Sequence, residues 1–326
     1  MRAAYIEDLG PAESIRYGEL PAPGPGPTDA LVRVEAVAVN PVDTFVRSGA
    51  YRTPIPFPFV IGRDLVGTVV GTGSGVVGFQ PGDQVWCNSL GHAGRQGSAA
   101  EYAVVPADRL YHLPDRADPV ASVAVVHPAA TAYLALFVHA RLKPGQTVFV
   151  GGGAGHVGRA AVRLAVLAGA RVIATASRND LDLCRRLGAI EALDYRMPQL
   201  AERIRAAAPD GIDVHLDTSG HQDLVTAVDL LARRGCIVAL AGLSATSELP
   251  VGELYRRDGR VLGFVISNAT VSELAEAAVR INQLLEAGEL APGLLDVMPL
   301  AAAAEAHRRL EQGDARGTRL VLDVGL

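Results

Sequence analysis

Two stretches of the chain carry the glycine spacing that lets a backbone close on a phosphate group. They are Gly73-Ser74-Gly75-Val76-Val77-Gly78 and Gly153-Ala154-Gly155-His156-Val157-Gly158. The spacing does chemistry only where a strand enters it and a helix leaves it, because the free N–H groups of a helix N-terminus hold the anion. The first stretch runs into Phe79-Gln80-Pro81-Gly82-Asp83, a turn composition, and predicts a β-turn loop. The second follows the apolar strand candidate Thr147–Val150 and opens a helix with Val157, Ala161, Leu164 and Ala168 on one face. In that setting Gly153 permits the tight turn, Gly155 lets the backbone approach a pyrophosphate, and Gly158 allows close helix–sheet packing. Dinucleotide binding is the reading, set against an ordinary glycine-rich turn.

The next strand candidate, Arg171–Ala176, ends in Ser177-Arg178. A site for NAD places an acid there to bond the ribose 2′-hydroxyl. A hydroxyl and a guanidinium suit a 2′-phosphate instead and point to NADPH. Asp180 and Asp182 follow closely and work against that charge, and a solvated loop arginine is the bland alternative.

Other chemistry finds little support. Cys87, Cys184 and Cys236 are the only cysteines, far apart and without a CxxC pair, so a reducing cytoplasm is expected. His215 and His221 have ligand-like spacing but no cysteine pair, and read as a strand-end and a loop residue. A net charge of −5 gives no reason to expect a nucleic acid or an anionic membrane as partner. The N-terminus has an acid at Glu7 and no apolar core, unlike a signal peptide. Pro119 to Ala140 holds no Asp, Glu, Lys or Arg, but His127, Pro128, His139 and its alanines favour a buried helix over a membrane span.

The elements that must position these residues change texture near residue 120. Before it, Leu31–Val39, Leu65–Val70, Gln84–Cys87 and Ala99–Val105 are strand candidates, the first alternating around Arg33 and Glu35. After it, helices at Arg159–Ala168, Asp180–Leu187 and Leu224–Leu231 alternate with strands, including Val214–Asp217 and Cys236–Leu240. Alternation of this kind predicts a parallel sheet covered on both faces. A capping box at Thr270 and Glu273 opens a helix that stops at Gly288, and Arg319–Asp323 reads as a last strand.

Several short motifs in one order then resemble a known family. They are Val39-Asn40-Pro41-Val42-Asp43 with Arg47-Ser48-Gly49, Gly62-Arg63-Asp64 with Gly67, Phe79, Gly82-Asp83 and Val85, Ala100-Glu101-Tyr102, Thr131-Ala132-Tyr133, the glycine fingerprint, Leu187-Gly188-Ala189 and Asp217-Thr218-Ser219-Gly220. Together they resemble the medium-chain dehydrogenase/reductase superfamily, in its zinc-free, zeta-crystallin-like quinone oxidoreductase branch, over nearly the whole chain. The resemblance implies an α/β protein: a GroES-like β-rich catalytic domain plus a Rossmann doubly wound parallel sheet. The first would span 1–123, completed by 263–326, and the NADPH-binding domain 124–262.

Carried over to this sequence, the resemblance places Asn40 and Thr131 by the nicotinamide and Ala154, Gly155, His156 and Val157 at the pyrophosphate. It places Ser177, Arg178 and Tyr195 around the 2′-phosphate, with Arg319 a further basic position close to the cofactor. Leu240, Ala241, Gly242 and Leu243 match a later loop, and Phe264, Val265 and Ile266 the backbone beside the nicotinamide amide. Three positions depart from the family pattern. Phe45 stands where a tyrosine is common, Leu181 where a lysine is common, and His156 where a small residue is common. His156 either touches phosphate or points to solvent. Zinc-bearing relatives need a cysteine, a His-Glu pair and a later Cys or Asp; Pro41-Val42-Asp43, Gly62-Arg63-Asp64 and Thr131-Ala132-Tyr133 stand there instead, so no metal is expected.

Without a Lewis acid, hydride delivery to a quinone or activated enone is favoured over alcohol oxidation, because the developing charge is delocalised. Asn40 and Tyr51 are candidates to face the substrate, with local turn bonding the alternative. Asp43 and Asp64 read as structural residues, and the sequence offers no side chain as proton donor, which leaves solvent as a candidate source. Two rivals remain: an enoyl thioester reductase on the same scaffold, and a catalytically idle NADPH-binding protein, such as a lens crystallin or a redox sensor. The resemblance also implies a homodimer through the Rossmann sheet edge.

Overall fold

The computed structural model describes every residue from Met1 to Leu326. It falls into two compact units, Met1–His127 with Thr270–Leu326, and Pro128–Ala269.

The first unit begins with β1 (Arg2–Ile6), β2 (Arg16–Glu19) and the long β3 (Asp29–Ala38). On β3, Ala30, Val32 and Val34 are buried while Arg33 is exposed, the alternation of a strand with one face on a core. Helix α1 (Pro41–Ser48) follows, with Pro41 at its first position, where the missing N–H costs nothing. Then come β4 (Phe59–Val60), β5 (Leu65–Thr72), β6 (Gln84–Cys87), β7 (Tyr102–Pro106) and β8 (Tyr111–His112). The strand expected from Ala99 thus starts at Tyr102, and Ala100 makes only a single bridge to Ala3. The Gly73–Gly78 stretch leaves β5 as a turn with no helix after it.

The uncharged stretch forms α2 (Pro119–Tyr133) and continues as a π-helical turn, Leu134–His139. Its composition and length would cross a membrane, but most of it is buried within protein, as a core helix is.

The second unit alternates strands and helices: β9 (Thr147–Gly151), α3 (His156–Leu167), β10 (Arg171–Ala176), α4 (Leu181–Arg186), β11 (Glu191–Asp194) and α5 (Leu200–Ala207). It continues with β12 (Ile212–Asp217), α6 (Leu224–Leu230), β13 (Leu231–Ala239), α7 (Val251–Arg256) and β14 (Arg260–Gly263). All strands are parallel, in the order β11-β10-β9-β12-β13-β14. The order reverses between β9 and β12, the switch point where such sheets bind ligands at their carboxyl edge. His215, expected at a strand end, sits inside β12, buried and stacked on Phe149 with ring centroids 4.6 Å apart.

The chain returns to the first unit as α8 (Val271–Glu286), β15 (Leu294–Pro299), α9 (Ala303–Gln312) and β16 (Thr318–Asp323). The capping box is formed: Thr270 N–H donates to Glu273 Oε2 at 2.8 Å, and Glu273 N–H to Thr270 Oγ1 at 3.2 Å. β16 lies antiparallel on β3, Val321 opposite Ala38, so the C-terminal segment completes the mixed sheet begun by the N-terminal one. Trp86, fully buried, ties α8 to that sheet by donating to Asn282 Oδ1 at 2.9 Å.

Candidate functional site

In the second unit the glycine turn is built as a tight cradle between β9 and α3. The positive φ falls on Gly152, at +72°, and not on Gly153, where the sequence suggested the turn would be made. Gly153 is required for a different reason: a Cβ there would lie 2.9 Å from Ala174 Cβ and 3.2 Å from Cys184 Sγ. At Gly158 a Cβ would meet the Gly152 carbonyl oxygen at 2.1 Å, so helix and turn touch backbone to backbone. Gly155 is exposed, and its Cβ would meet only Gly152 O at 3.3 Å, with φ at an ordinary −69°. Nothing within the protein forbids a side chain at Gly155; the space in front of it is open for a ligand. Gly155 is also the N-cap of α3, whose first-turn N–H groups have no intrahelical acceptor. His156 is the first residue of α3 and is half-buried.

Arg159 pins this turn, its Nη2 donating to Ala154 O at 3.1 Å. Sequence reasoning missed it, although a basic residue one turn into a phosphate-binding helix is a usable signal. Across the switch point, Thr218 Oγ1 donates to Gly151 O at 2.8 Å and locks the turn to the end of β12.

The other expected cofactor residues line the same carboxyl edge. Leu240–Leu243 follow β13, with Gly242 at φ +85° and Leu243 exposed. Phe264 follows β14; its N–H donates to Ala239 O at 3.2 Å, and its ring stacks on His139 at 4.4 Å between centroids. Val265 is half-buried and Ile266 buried. Thr131 is buried within α2.

Beyond β10, Arg178 is exposed and makes no ion pair, while Ser177 Oγ donates to Asp180 Oδ2 at 2.6 Å. The acid nearby is thus held by Ser177. Ala176 pairs in register with Asp194 of β11, which brings Tyr195 and Arg196 to the same rim. Both are exposed, and the Arg196 guanidinium lies over the Tyr195 ring, 5.1 Å from its centroid. Arg196 was missed because only the strand register shows that it neighbours Arg178.

The first unit holds a separate, buried polar cluster around Asp64, which is fully buried. Asp64 Oδ2 accepts from Asn40 Nδ2 at 2.8 Å, and Asp64 Oδ1 is 3.0 Å from His127 Nδ1. Arg319 Nη2 donates to Asn40 Oδ1 at 2.7 Å and its Nη1 to Val39 O at 3.0 Å. Both ends of the Asn40 amide are therefore engaged within the protein, the local bonding weighed for it above. Arg319 is buried in the same cluster, not at an exposed rim. Asp43 Oδ2 accepts from Asn40 N–H at 2.7 Å. Burial, and then the neighbouring Asp64, push the Asp43 carboxyl up to about 6. Tyr51 is half-buried beside His92, ring centroids 6.0 Å apart. Burial and the nearby Arg63, Arg95 and Arg109 bring His92 down to about 4.

Comparison with known proteins agrees with this architecture. Residues 26–115 match the alcohol dehydrogenase GroES-like domain, and residues 157–281 match the zinc-binding dehydrogenase domain. The chain is 29% identical to a quinone oxidoreductase of Pongo abelii over 99% of this chain and 97% of the relative. A crystal structure described as an NAD-dependent alcohol dehydrogenase superposes with a TM-score of 0.87 at 33% identity, covering 99% of this chain and all of that one. An Escherichia coli quinone oxidoreductase in complex with NADPH superposes with a TM-score of 0.86 at 25% identity, covering 99% of this chain and 100% of that one. The chain belongs to the medium-chain dehydrogenase/reductase superfamily, in its quinone oxidoreductase branch. It is an oxidoreductase of that superfamily.

Proposed function

We propose that this protein is a zinc-independent NADPH:quinone oxidoreductase, reducing quinones or activated enones. The observation that carries the reading is the exposed, unpaired Arg178 at the end of β10, beside an open glycine cradle and with no acid in the position that would bond a ribose 2′-hydroxyl. The relatives named for quinone reduction, one of them bound to NADPH, point the same way. The neighbour described as NAD-dependent shares the fold, and the Ser177-Arg178 rim favours the phosphorylated dinucleotide over its choice.

In this reading Gly153 to Gly158 hold the pyrophosphate against the first turn of α3. Arg178, Ser177 and Tyr195, with Arg196, hold the 2′-phosphate. Leu240 to Leu243 and Phe264 to Ile266 contact the nicotinamide half. A bound nicotinamide dinucleotide supplies the hydride. Asn40 acts from a distance, keeping Asp64 and Arg319 in one cluster, while Tyr51 and Thr131 border substrate and nicotinamide.

Zinc independence rests on the donor set. Val42, Asp43, Arg63 and Thr131 stand near or at the positions ligands would need, and none of these supplies the thiolate or imidazole that zinc takes. A buried guanidinium at Arg63 also opposes a second cation beside it. The three cysteines are buried and unpaired, which supports a reducing, cytoplasmic setting. β14 is the terminal strand of its sheet, which supports a homodimer through that edge.

The test is a panel of quinones, enones and crotonyl-CoA with NADPH, read at the nicotinamide absorbance before and after exhaustive chelation. Turnover of quinones or enones, unchanged by chelation, is expected. Turnover of the thioester alone, or loss of activity with stoichiometric zinc, contradicts the reading.

A further inference from the structure

Three arginines are sealed inside the first unit: Arg47, Arg63 and Arg319. Two of them use both terminal nitrogens. Arg47 donates to Gly10 O and to Glu311, and Arg319 to Val39 O and Asn40 Oδ1. Arg63 differs. It is 2% exposed, and beyond the bare Nε that all three share, its Nη2 is also buried without any hydrogen-bond partner. A guanidinium keeps its charge in a protein and carries five N–H donors in a planar fork, so leaving two nitrogens bare in the interior is costly.

The neighbours do not remove that cost. Asp43 and Asp64 lie close enough to attract Arg63, yet Asp43 Oδ1 is itself left without a partner. Two further buried atoms of the segment after β6, Asn88 Oδ1 and His92 Nδ1, are also unpartnered. Tyr51 is among the groups that act on Arg63, and Arg63 on His92. Tyr51 and His92 are both half-buried, with ring centroids 6.0 Å apart. What the Arg63 fork lacks is an acceptor oxygen.

We propose that Arg63 is a substrate-binding residue that takes the carbonyl oxygen of the acceptor and stabilises the negative charge arriving there. The proposal rests on the reading of the protein as a reductase of conjugated carbonyl compounds. When a hydride bonds to the conjugated carbon, the C=C pair shifts to the adjoining bond and the C=O pair moves onto oxygen. The acceptor is reduced, the dinucleotide is oxidised, and the oxyanion takes its proton from water. A fixed, desolvated guanidinium favours that charge without reorganising. It also selects for acceptors whose oxygen can reach the fork, planar quinones and enones among them.

The test uses 4-nitrophenolate, an unreactive aromatic oxyanion whose absorbance reports binding, and 4-nitroanisole, its neutral counterpart. Wild-type protein should bind the phenolate at least about tenfold more tightly than the ether, and Arg63→Met should abolish that preference. Arg63→Lys should keep part of it. With 1,4-naphthoquinone, Arg63→Met should lose about a hundredfold in kcat/KM while NADPH affinity stays within about twofold. Equal affinity of wild type for phenolate and ether overturns the proposal, and so does an Arg63→Met variant that binds and turns over like wild type. The wild-type comparison needs neither turnover nor a variant. It therefore tests Arg63 even where no quinone is reduced, the outcome that would instead overturn quinone reduction, or where Arg63→Met does not fold.

Discussion

Gly158 and Gly152 are packed so closely that a single methyl group on Gly158 would come within 2.1 Å of the Gly152 carbonyl oxygen. At Gly155, three residues earlier, a Cβ would meet the same oxygen only at 3.3 Å, a tight contact but not an excluded one. The two glycines of one fingerprint thus answer to different demands, one to the fold and one to the ligand. Gly158→Ala should cost stability, about 1–3 kcal/mol for an overpacked contact, read as a lower denaturant midpoint. Gly155→Val should unfold like wild type yet fail to bind a dinucleotide in a fluorescence titration. Gly75→Val, in the stretch that ends in a turn, should leave dinucleotide affinity nearly unchanged. Equal loss of affinity at Gly75 and Gly155 would show that the cradle has been misplaced.

Arg319 should be a stability residue. Its guanidinium bridges Val39 and Asn40 in the interior, 3.7 Å from Asp64 Oδ2. Arg319→Met leaves Val39 O and Asn40 Oδ1 without their donor and removes one of the cations near Asp64, which keeps Asn40 and His127, so it should cost about 1–3 kcal/mol. The ratio of NADPH to NADH affinity should not move. A selective loss of NADPH binding would mean that Arg319 reaches the cofactor directly.

Stability should fall as the pH drops below about 6.5. Burial brings His215 and His92 down to about 4 and His307 to about 3, so the folded state keeps them neutral while the unfolded chain takes up protons. Each such group contributes a slope of up to about 1.4 kcal/mol per pH unit between its folded and unfolded values. Asp43 works in the opposite sense. Raised to about 6, it binds its proton more tightly in the folded state, so acidification from 6 toward 3.8 favours folding through this one group. His215→Phe keeps the aromatic stack on Phe149 and removes one histidine. Urea midpoints at pH 5 and pH 7 should then differ less than in wild type; an unchanged difference contradicts the assignment.

Much of the scaffold is legible in local pattern. β10 and β6 have the expected bounds, and α6 differs by one residue, because buried parallel strands and amphipathic helices announce themselves by composition. Edge strands do not: Arg260–Gly263 and Leu294–Pro299 are short and half exposed, so neither shows a clean alternation. β13 begins at Leu231 rather than Cys236 because Arg233, Arg234 and Gly235 disguise its first half. The cradle could be read because its residues are consecutive. The Asp64 cluster joins Asn40, His127 and Arg319, far apart in sequence, and only the folded sheet brings them together.

If the selectivity for NADPH lies at the end of β10, titration of NADPH and NADH against wild type and Arg178→Ala will show it. Wild type should prefer NADPH, and the preference should shrink as salt rises, as an exposed ion pair requires. Arg178→Ala should weaken NADPH by about tenfold or more and leave NADH nearly unchanged. Adding Arg196→Ala should remove most of what preference remains. A wild-type protein that prefers NADH, or an Arg178→Ala variant that weakens both dinucleotides equally, would mean that this rim does not select the 2′-phosphate.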